Sequence, residues 1–193
     1  MKRTVFGLLF TVLAVLPSLG QIKGQDYEVD QNGDVVIAKI VEGLNLQKLE
    51  IYAAAKKYME NAYRDTKYKL VINSLENGVV AGEGEYLQFY EANIFPYSYF
   101  LNAPILLRVD AKDGRARISV VLSYYTGKRT NINETKDIHD RISEFQPVKE
   151  DEPEHRKLYN KAFPILYNKV MKTLGEVEEE LKSTRSSVPD TDW

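Results

Sequence analysis

The sequence predicts an α+β domain: a single curved antiparallel sheet in the order β-α-β-β-β-β-α, with its helices packed on one face. Three observations carry this. The apolar period changes from two to helical just after residue 45. Two turn signals, Glu76-Asn77-Gly78 and Asp113-Gly114, sit inside sequence dense in Val and Ile. A long amphipathic stretch closes the chain from residue 154 to residue 182.

The first strand candidate runs from Asp34 to Val41 and is broken by Gly43-Leu44-Asn45. Asn45 is placed to cap the helix that follows. From Leu46 to Arg64 the residues Leu46, Leu49, Tyr52, Ala55, Met59, Ala62 and Tyr63 form one stripe, with Lys48, Lys56, Lys57 and Glu60 opposite. Lys69–Leu75 and Val79–Glu91 then flank a three-residue loop with Gly78 in the left-handed position, which sets Leu70 and Ile72 opposite Gly84 and Gly82. The Asp113-Gly114 turn pairs residues whose numbers sum to 227. In that register Ile105, Leu107 and Val109 face Leu122, Val120 and Ile118, and Asp110 faces Arg117. Residues 127–153 read as a polar linker. Leu158, Ala162, Leu166, Val170, Leu174, Val177 and Leu181 make the stripe of the closing helix, which kinks or begins at Pro164 because proline lacks a donor and collides with the preceding turn. Ser183 to Trp193 reads as a disordered tail.

Residues 1–20 carry the three parts of a secretory signal peptide: Lys2 and Arg3, an apolar run from Val5 to Leu16, and small residues at Ser18 and Gly20 before a cut at Gln21. The run is shorter than the roughly 20 apolar residues that span a bilayer. The chain has no cysteine, which excludes a lipid-anchored lipoprotein, disulfides, thiol nucleophiles and cysteine metal sites. Cleavage leaves 173 residues and moves the net charge from −2 to −4. The expected location is therefore the periplasm or outside the cell, with no membrane span in the mature chain. Residues 21–33 read as a flexible leader, and residues 34–126 as the folded domain.

The stretch from Val35 through Tyr125 resembles a family of exported proteins called domain of unknown function 4468, described as having a TATA-binding-protein-like (TBP-like) fold. The resemblance lies in Val35-Val36 and Lys39 to Glu42, in Leu49-Glu50-Ile51-Tyr52-Ala53, and in Asn77-Gly78-Val79-Val80-Ala81-Gly82. Arg108-Val109-Asp110-Ala111-Lys112-Asp113-Gly114-Arg115 completes it. It implies the same sheet-and-helix fold and brings no catalytic residues with it.

Candidate chemistry is sparse. Asp30-Gln31-Asn32-Gly33-Asp34 begins like a calcium loop, but Val35 and Val41 stand where the loop needs glycine and an acid, so it reads as a turn. His139 and His155 sit among acids without a recognised ligand spacing, and no metal is expected. No cofactor motif occurs. Glu83 and Glu85, two apart on a strand, share a face with α-carbons about 6.5–7 Å apart, a separation usable by paired carboxylates in glycoside hydrolysis.

The densest signal is aromatic: Tyr86, Phe89, Tyr90, Phe95, Tyr97, Tyr99 and Phe100 crowd what reads as a long connection between strands. Phe89, Phe95 and Phe100 are expected to close the core. Tyr86, Tyr90, Tyr97 and Tyr99 are the expected contact residues for an envelope protein, peptide or glycan, with Tyr97 and Tyr99 at least partly exposed. The leading expectation is a non-enzymatic binding or protein-interaction module. The alternative is a glycan-acting hydrolase using Glu83 and Glu85. Nucleic acid is not an expected partner, because an acidic chain offers no field for phosphates.

Overall fold

The computed structural model describes residues 26–62, 69–146 and 154–184. Residues 1–20, read as a signal peptide, and most of the segment read as a C-terminal tail lie outside them. The chain runs β1 (Glu28–Val29), β2 (Val35–Val41), α1 (Lys48–Ala62), β3 (Lys69–Ser74), β4 (Val79–Ile94), β5 (Tyr97–Lys112), β6 (Arg115–Leu122), β7 (Tyr124–Thr130), β8 (Thr135–Arg141), a 3-10 turn (Ile142–Phe145) and α2 (Glu154–Ser183). All eight strands form one antiparallel sheet in the order β1-β2-β6-β5-β4-β3, with β7 beside β5 and β8 beside β7. The α+β class, the single open sheet and the helices on one face are as the sequence predicts. No helix among the described residues is long and apolar enough to cross a membrane.

β5 organises the sheet. Its first half pairs β7 from Ser98 to Asn102, its second half pairs β6 from Ile105 to Lys112, and β4 runs along its other side. Strand alternation sends Tyr99, Leu101, Ala103, Ile105, Leu107, Val109 and Ala111 to one face, and all seven are buried. On β6, Ala116, Ile118, Val120 and Leu122 join them, in the predicted register in which pairs sum to 227. The cross-strand ion pair does not form: Asp110 lies opposite Arg117 but binds Arg108, two residues along its own strand, at 2.6 Å.

α2 covers this face. All seven residues of its stripe are at most 1% exposed. Pro164 lies inside the helix, which begins ten residues earlier at Glu154. A proline there removes one donor and costs about 3 kcal/mol. The neighbouring Phe163 and Leu166, both fully buried, each return about 1.5–3 kcal/mol, so the helix survives.

α1 packs beside α2. Leu46 just before it and Tyr52, Ala55 and Met59 within it are buried as the expected stripe requires, with the face shifted at Leu49 and Ala62; Tyr63 lies outside the described residues. Ile51, Ala54, Ala55 and Met59 are inside, Leu49 is exposed, and Ala62 faces solvent. Its start is capped by Asp113, whose carboxylate accepts the Lys48 N–H at 2.7 Å, and by Glu50, which accepts the Gln47 N–H at 2.9 Å. Asn45 is not the cap. The Asp113-Gly114 turn thus closes β5–β6 and also holds the entry to α1, through reciprocal backbone bonds of Gly114 with Leu44 and Leu46.

Four further expectations are corrected. The β3–β4 hairpin has a four-residue loop and a bulge at Val71, so Leu70 faces Gly82 and Ile72 faces Ala81; Gly78 is left-handed as expected, at φ +66°. The long aromatic connection is a hairpin: β4 continues to Ile94 and β5 starts at Tyr97, leaving only Phe95-Pro96 as the turn. The polar linker 127–153 contains the second half of β7, all of β8 and the 3-10 turn through Phe145; residues 147–153 lie outside the described set. Its strands are polar because β7 and β8 extend the sheet at one margin, where Tyr125 and Ile138 are the residues they bury. The described end of the flexible leader is anchored, with Tyr27 buried edge-on against Phe163 at 5.4 Å and β1 paired to β2.

These two faces make a direct prediction. Val120 is buried under the helices and Val121, its neighbour, points to the other face. Val120→Asp places an unpaired charge in the core and should lower stability by about 3–5 kcal/mol. Val121→Asp should lower it by less than about 1 kcal/mol. Chemical denaturation of the two variants checks this, and equal losses would refute the facing.

Candidate functional site: a groove on the helix-free face

The sheet face away from the helices carries Pro104 and Leu106 on β5, Val121 on β6, Glu83 and Glu85 on β4, and Tyr124 and His139 on β7 and β8. Together with Asp34, Leu87 and Ser123 they line a groove of about 940 Å³. A second basin of about 820 Å³ shares Leu87 and His139 with it and continues past Phe100, Asn102, Thr126 and Lys128.

A bulge in β4 shapes the boundary between the two basins. Tyr86 pairs with Ala103 and Tyr90 with Leu101, so Leu87, Gln88 and Phe89 stand opposite Asn102 alone. Gln88 takes a left-handed conformation at φ +42° and donates its N–H to the Asn102 side chain at 2.7 Å. The extra residues turn Phe89 into the core, stacked 6.2 Å from Tyr125, and leave Leu87 63% exposed at the groove. Across the groove, Gly127 lets β7 close on β5: at φ +141°, a Cβ there would stand 1.9 Å from the Phe100 carbonyl oxygen.

One end of the groove is built by Arg141. It donates to the Asn32 carbonyl at 2.7 Å, to the Asp34 carboxylate at 3.2 Å and to the Tyr124 hydroxyl at 2.8 Å. Its guanidinium lies 5.0 Å from the Tyr124 ring, and His139 stacks on the same ring at 4.3 Å. Asp30 accepts the N–H groups of Asn32 and Asp34, which makes residues 30–34 a turn before β2. Glu83 is exposed and Glu85 half-buried; Thr126 donates to Glu85 over a long 3.4 Å. Among the described residues neither carboxylate is ion-paired.

The predicted tyrosines lie on the opposite face. Tyr86, Tyr90, Tyr97 and Tyr99 all project to the helix side. Tyr86 is half-buried and shares a 2.7 Å hydrogen bond with Thr173 of α2. Tyr90 is half-buried against the core. Tyr97 packs edge-on to Tyr99 at 6.3 Å, beneath the Arg129 guanidinium 4.6 Å from its ring. Tyr99 is only 7% exposed, which corrects the expectation that it lies open. The reason is alternation: Tyr99 shares the buried face of β5 with Leu101 and Leu107. Of the three phenylalanines expected inside, Phe89 is buried, Phe100 half-buried on the groove side, and Phe95 is 98% exposed at the hairpin tip. The backbone of His155 is helical, and its side chain lies outside the described set.

Glu83 and Glu85 were legible from strand spacing. Tyr124 and Val121 were not, because nothing in their local pattern marks them; His139 stood out only as a histidine among acids, and the sheet order is what brings all three toward β4.

No family model and no curated protein matches this chain. Solved structures do. A TBP-like protein from Parabacteroides distasonis aligns at TM-score 0.59 with 16% identity, covering 81% of this chain and 97% of the other. A DUF4468 family protein from Bacteroides ovatus aligns at TM-score 0.56 with 17% identity, covering 84% and 91%. The class of molecule is thus established by fold: a TBP-like α+β domain, shared with a protein of the same family that the motifs resemble.

Burial also marks the helix face. Desolvation holds the Tyr86 phenol up at about 12, against an ordinary value of 10.0. The unfolded chain then releases this proton near pH 10 and the folded chain near pH 12, so the contribution is whole below pH 10 and lost as pH rises between the two. Tyr86→Phe should flatten the fall of the thermal midpoint across that range. It should also cost about 1 kcal/mol at neutral pH, by leaving the Thr173 hydroxyl without its partner. Tyrosinate absorbance titration of the folded protein checks the assignment; a Tyr86 that ionises near pH 10 would contradict it.

Proposed function

We propose that this chain is a non-enzymatic binding module of the cell envelope, exported through its N-terminal signal peptide, and that its ligand lies in the groove on the helix-free sheet face. The observation that carries the reading is the groove's composition. An aliphatic floor of Pro104, Leu106 and Val121 lies beside two carboxylates with no ion-pair partner among the described residues, on a face that neither helix covers. A concave, largely apolar site with a few polar groups at its rim is the usual form of a ligand site. Of the predicted tyrosines, Tyr90 and Tyr97 are partly exposed and free of a hydrogen bond to α2, but they lie on the helix side and form a surface apart from the groove. Tyr86 and Tyr99 serve the interior.

A second reading, glycan hydrolysis, is favoured by one observation: Glu83 and Glu85 line the same groove. Against it, no charged neighbour among the described residues sets one of them apart as acid from the other as base.

The tests separate these readings. Protein from a native envelope fraction should begin at or near Gln21 by mass spectrometry, and an intact Met1 start would remove the export step. Leu106→Arg and Val121→Arg should leave the melting temperature within a few degrees while abolishing capture of the partner from envelope extract. Tyr97→Ser should leave capture intact; the reverse pattern would move the site to the hairpin. If glycan turnover is found and collapses in Glu83→Gln or Glu85→Gln, the hydrolase reading replaces the binding one.

A further inference from the structure

We propose that the groove takes an extended peptide segment in which lysine or arginine side chains alternate with apolar ones, an inference that rests on the groove being the binding site. Three features of the lining point there. In the main basin the lining charge is one-sided: Asp34, Glu83 and Glu85 line it and no lysine or arginine does, while Arg141 at its end is spent on Asn32, Asp34 and Tyr124. Asp34 is committed to Arg141, so Glu83 and Glu85 are the groups with charge to offer. An anionic ligand would meet repulsion, and a cationic one would gain a charge-assisted hydrogen bond at each carboxylate.

Spacing supplies the second feature. Glu83 and Glu85 are alternate residues of one strand and share a face, so their α-carbons stand about 6.5–7 Å apart. Alternate side chains of an extended peptide repeat at that same interval. Between the carboxylates and β6, Pro104, Leu106 and Val121 offer aliphatic surface to the side chains of opposite parity.

The third feature separates a peptide from a sugar chain. Glycan sites present an open aromatic face; in the main basin the ring of Tyr124 is already taken up by His139 at 4.3 Å and by Arg141 at 5.0 Å, which leaves the half-buried Phe100 of the second basin as the ring on offer. The second basin carries Lys128 and Asp137 beside the side chains of Gln88, Asn102, Thr126 and Thr130. Asn102 Oδ1 accepts the Gln88 N–H, Thr126 donates to Glu85 and Thr130 accepts from Thr135. That leaves the Gln88 side-chain amide and the Asn102 amide N–H for backbone C=O and N–H groups. Two basins that share Leu87 and His139 fit a ligand long enough to run from one into the other.

The experiment is a titration of isotope-labelled protein, followed by amide chemical shifts, with four probes. These are a capped hexapeptide of alternating lysine and valine, the matched peptide of glutamate and valine, spermine, and chitohexaose. The lysine peptide should shift Glu83, Glu85, Leu106, Val121 and Tyr124. Its affinity should fall about threefold or more in the double variant Glu83→Gln/Glu85→Gln, and should fall on adding salt. The glutamate peptide should leave those residues unmoved. Spermine binding as tightly as the lysine peptide, or chitohexaose moving the same residues while the peptide does not, would overturn the peptide assignment and leave the groove standing. An affinity unchanged in the double variant, which should melt as the parent does, would likewise overturn it. If every probe spares the groove and any shifts fall instead at Tyr90 and Tyr97, the groove reading falls with the peptide.

Discussion

The structure depends on the strict alternation of β5. Over seven consecutive odd positions, from Tyr99 to Ala111, this strand buries every side chain under the helices. The even positions between them line the open face. Because β5 is hydrogen-bonded to β4 along one edge and to β7 and then β6 along the other, its facing is transmitted to all of them. A one-residue slip would exchange core and groove together. The aliphatic groove floor and the apolar core are therefore two consequences of a single register.

Much of that register was legible. The Asp113-Gly114 turn and the paired apolar runs on both sides of it determine the β5–β6 pairing, and the stripe of α2 is readable at every position. The fold class followed, since a sheet apolar on one side needs helices over that side only. What escaped was the sheet's far margin. β7 and β8 are written in threonine, lysine, arginine and aspartate and bury little beyond Tyr125 and Ile138, so their polarity resembles that of a linker. Pro96 punctuates the aromatic segment as a loop would, yet it occupies a two-residue turn between strands of sixteen residues each.

The candidate site divides in the same way. Glu83 and Glu85 announce themselves by spacing within one strand. Their partners come from β5, β6, β7, β8 and the turn before β2, and no local pattern joins such distant pieces. The tyrosines were conspicuous because tyrosine is amphipathic, and the structure uses that property inwardly: Tyr86 and Tyr159 send their hydroxyls to Thr173 and Asp140 while their rings pack with the core. Crowded aromatic residues can close a core margin as readily as they can recruit a partner. The bulge at Leu87–Phe89, which decides which of these rings turns inward, carries no sequence signature.

Native-state hydrogen exchange tests the role of β5 most directly. If this strand is the constraint on which both faces depend, its amides from Leu101 to Val109, Pro104 having none, open only when the whole domain unfolds. Their exchange free energies should then equal the global stability measured by denaturant, with α2, β3 and the β7–β8 hairpin at or below that value. Exchange of these β5 amides through a cheaper, local opening, while α2 or β8 stays protected to the global limit, would contradict the account.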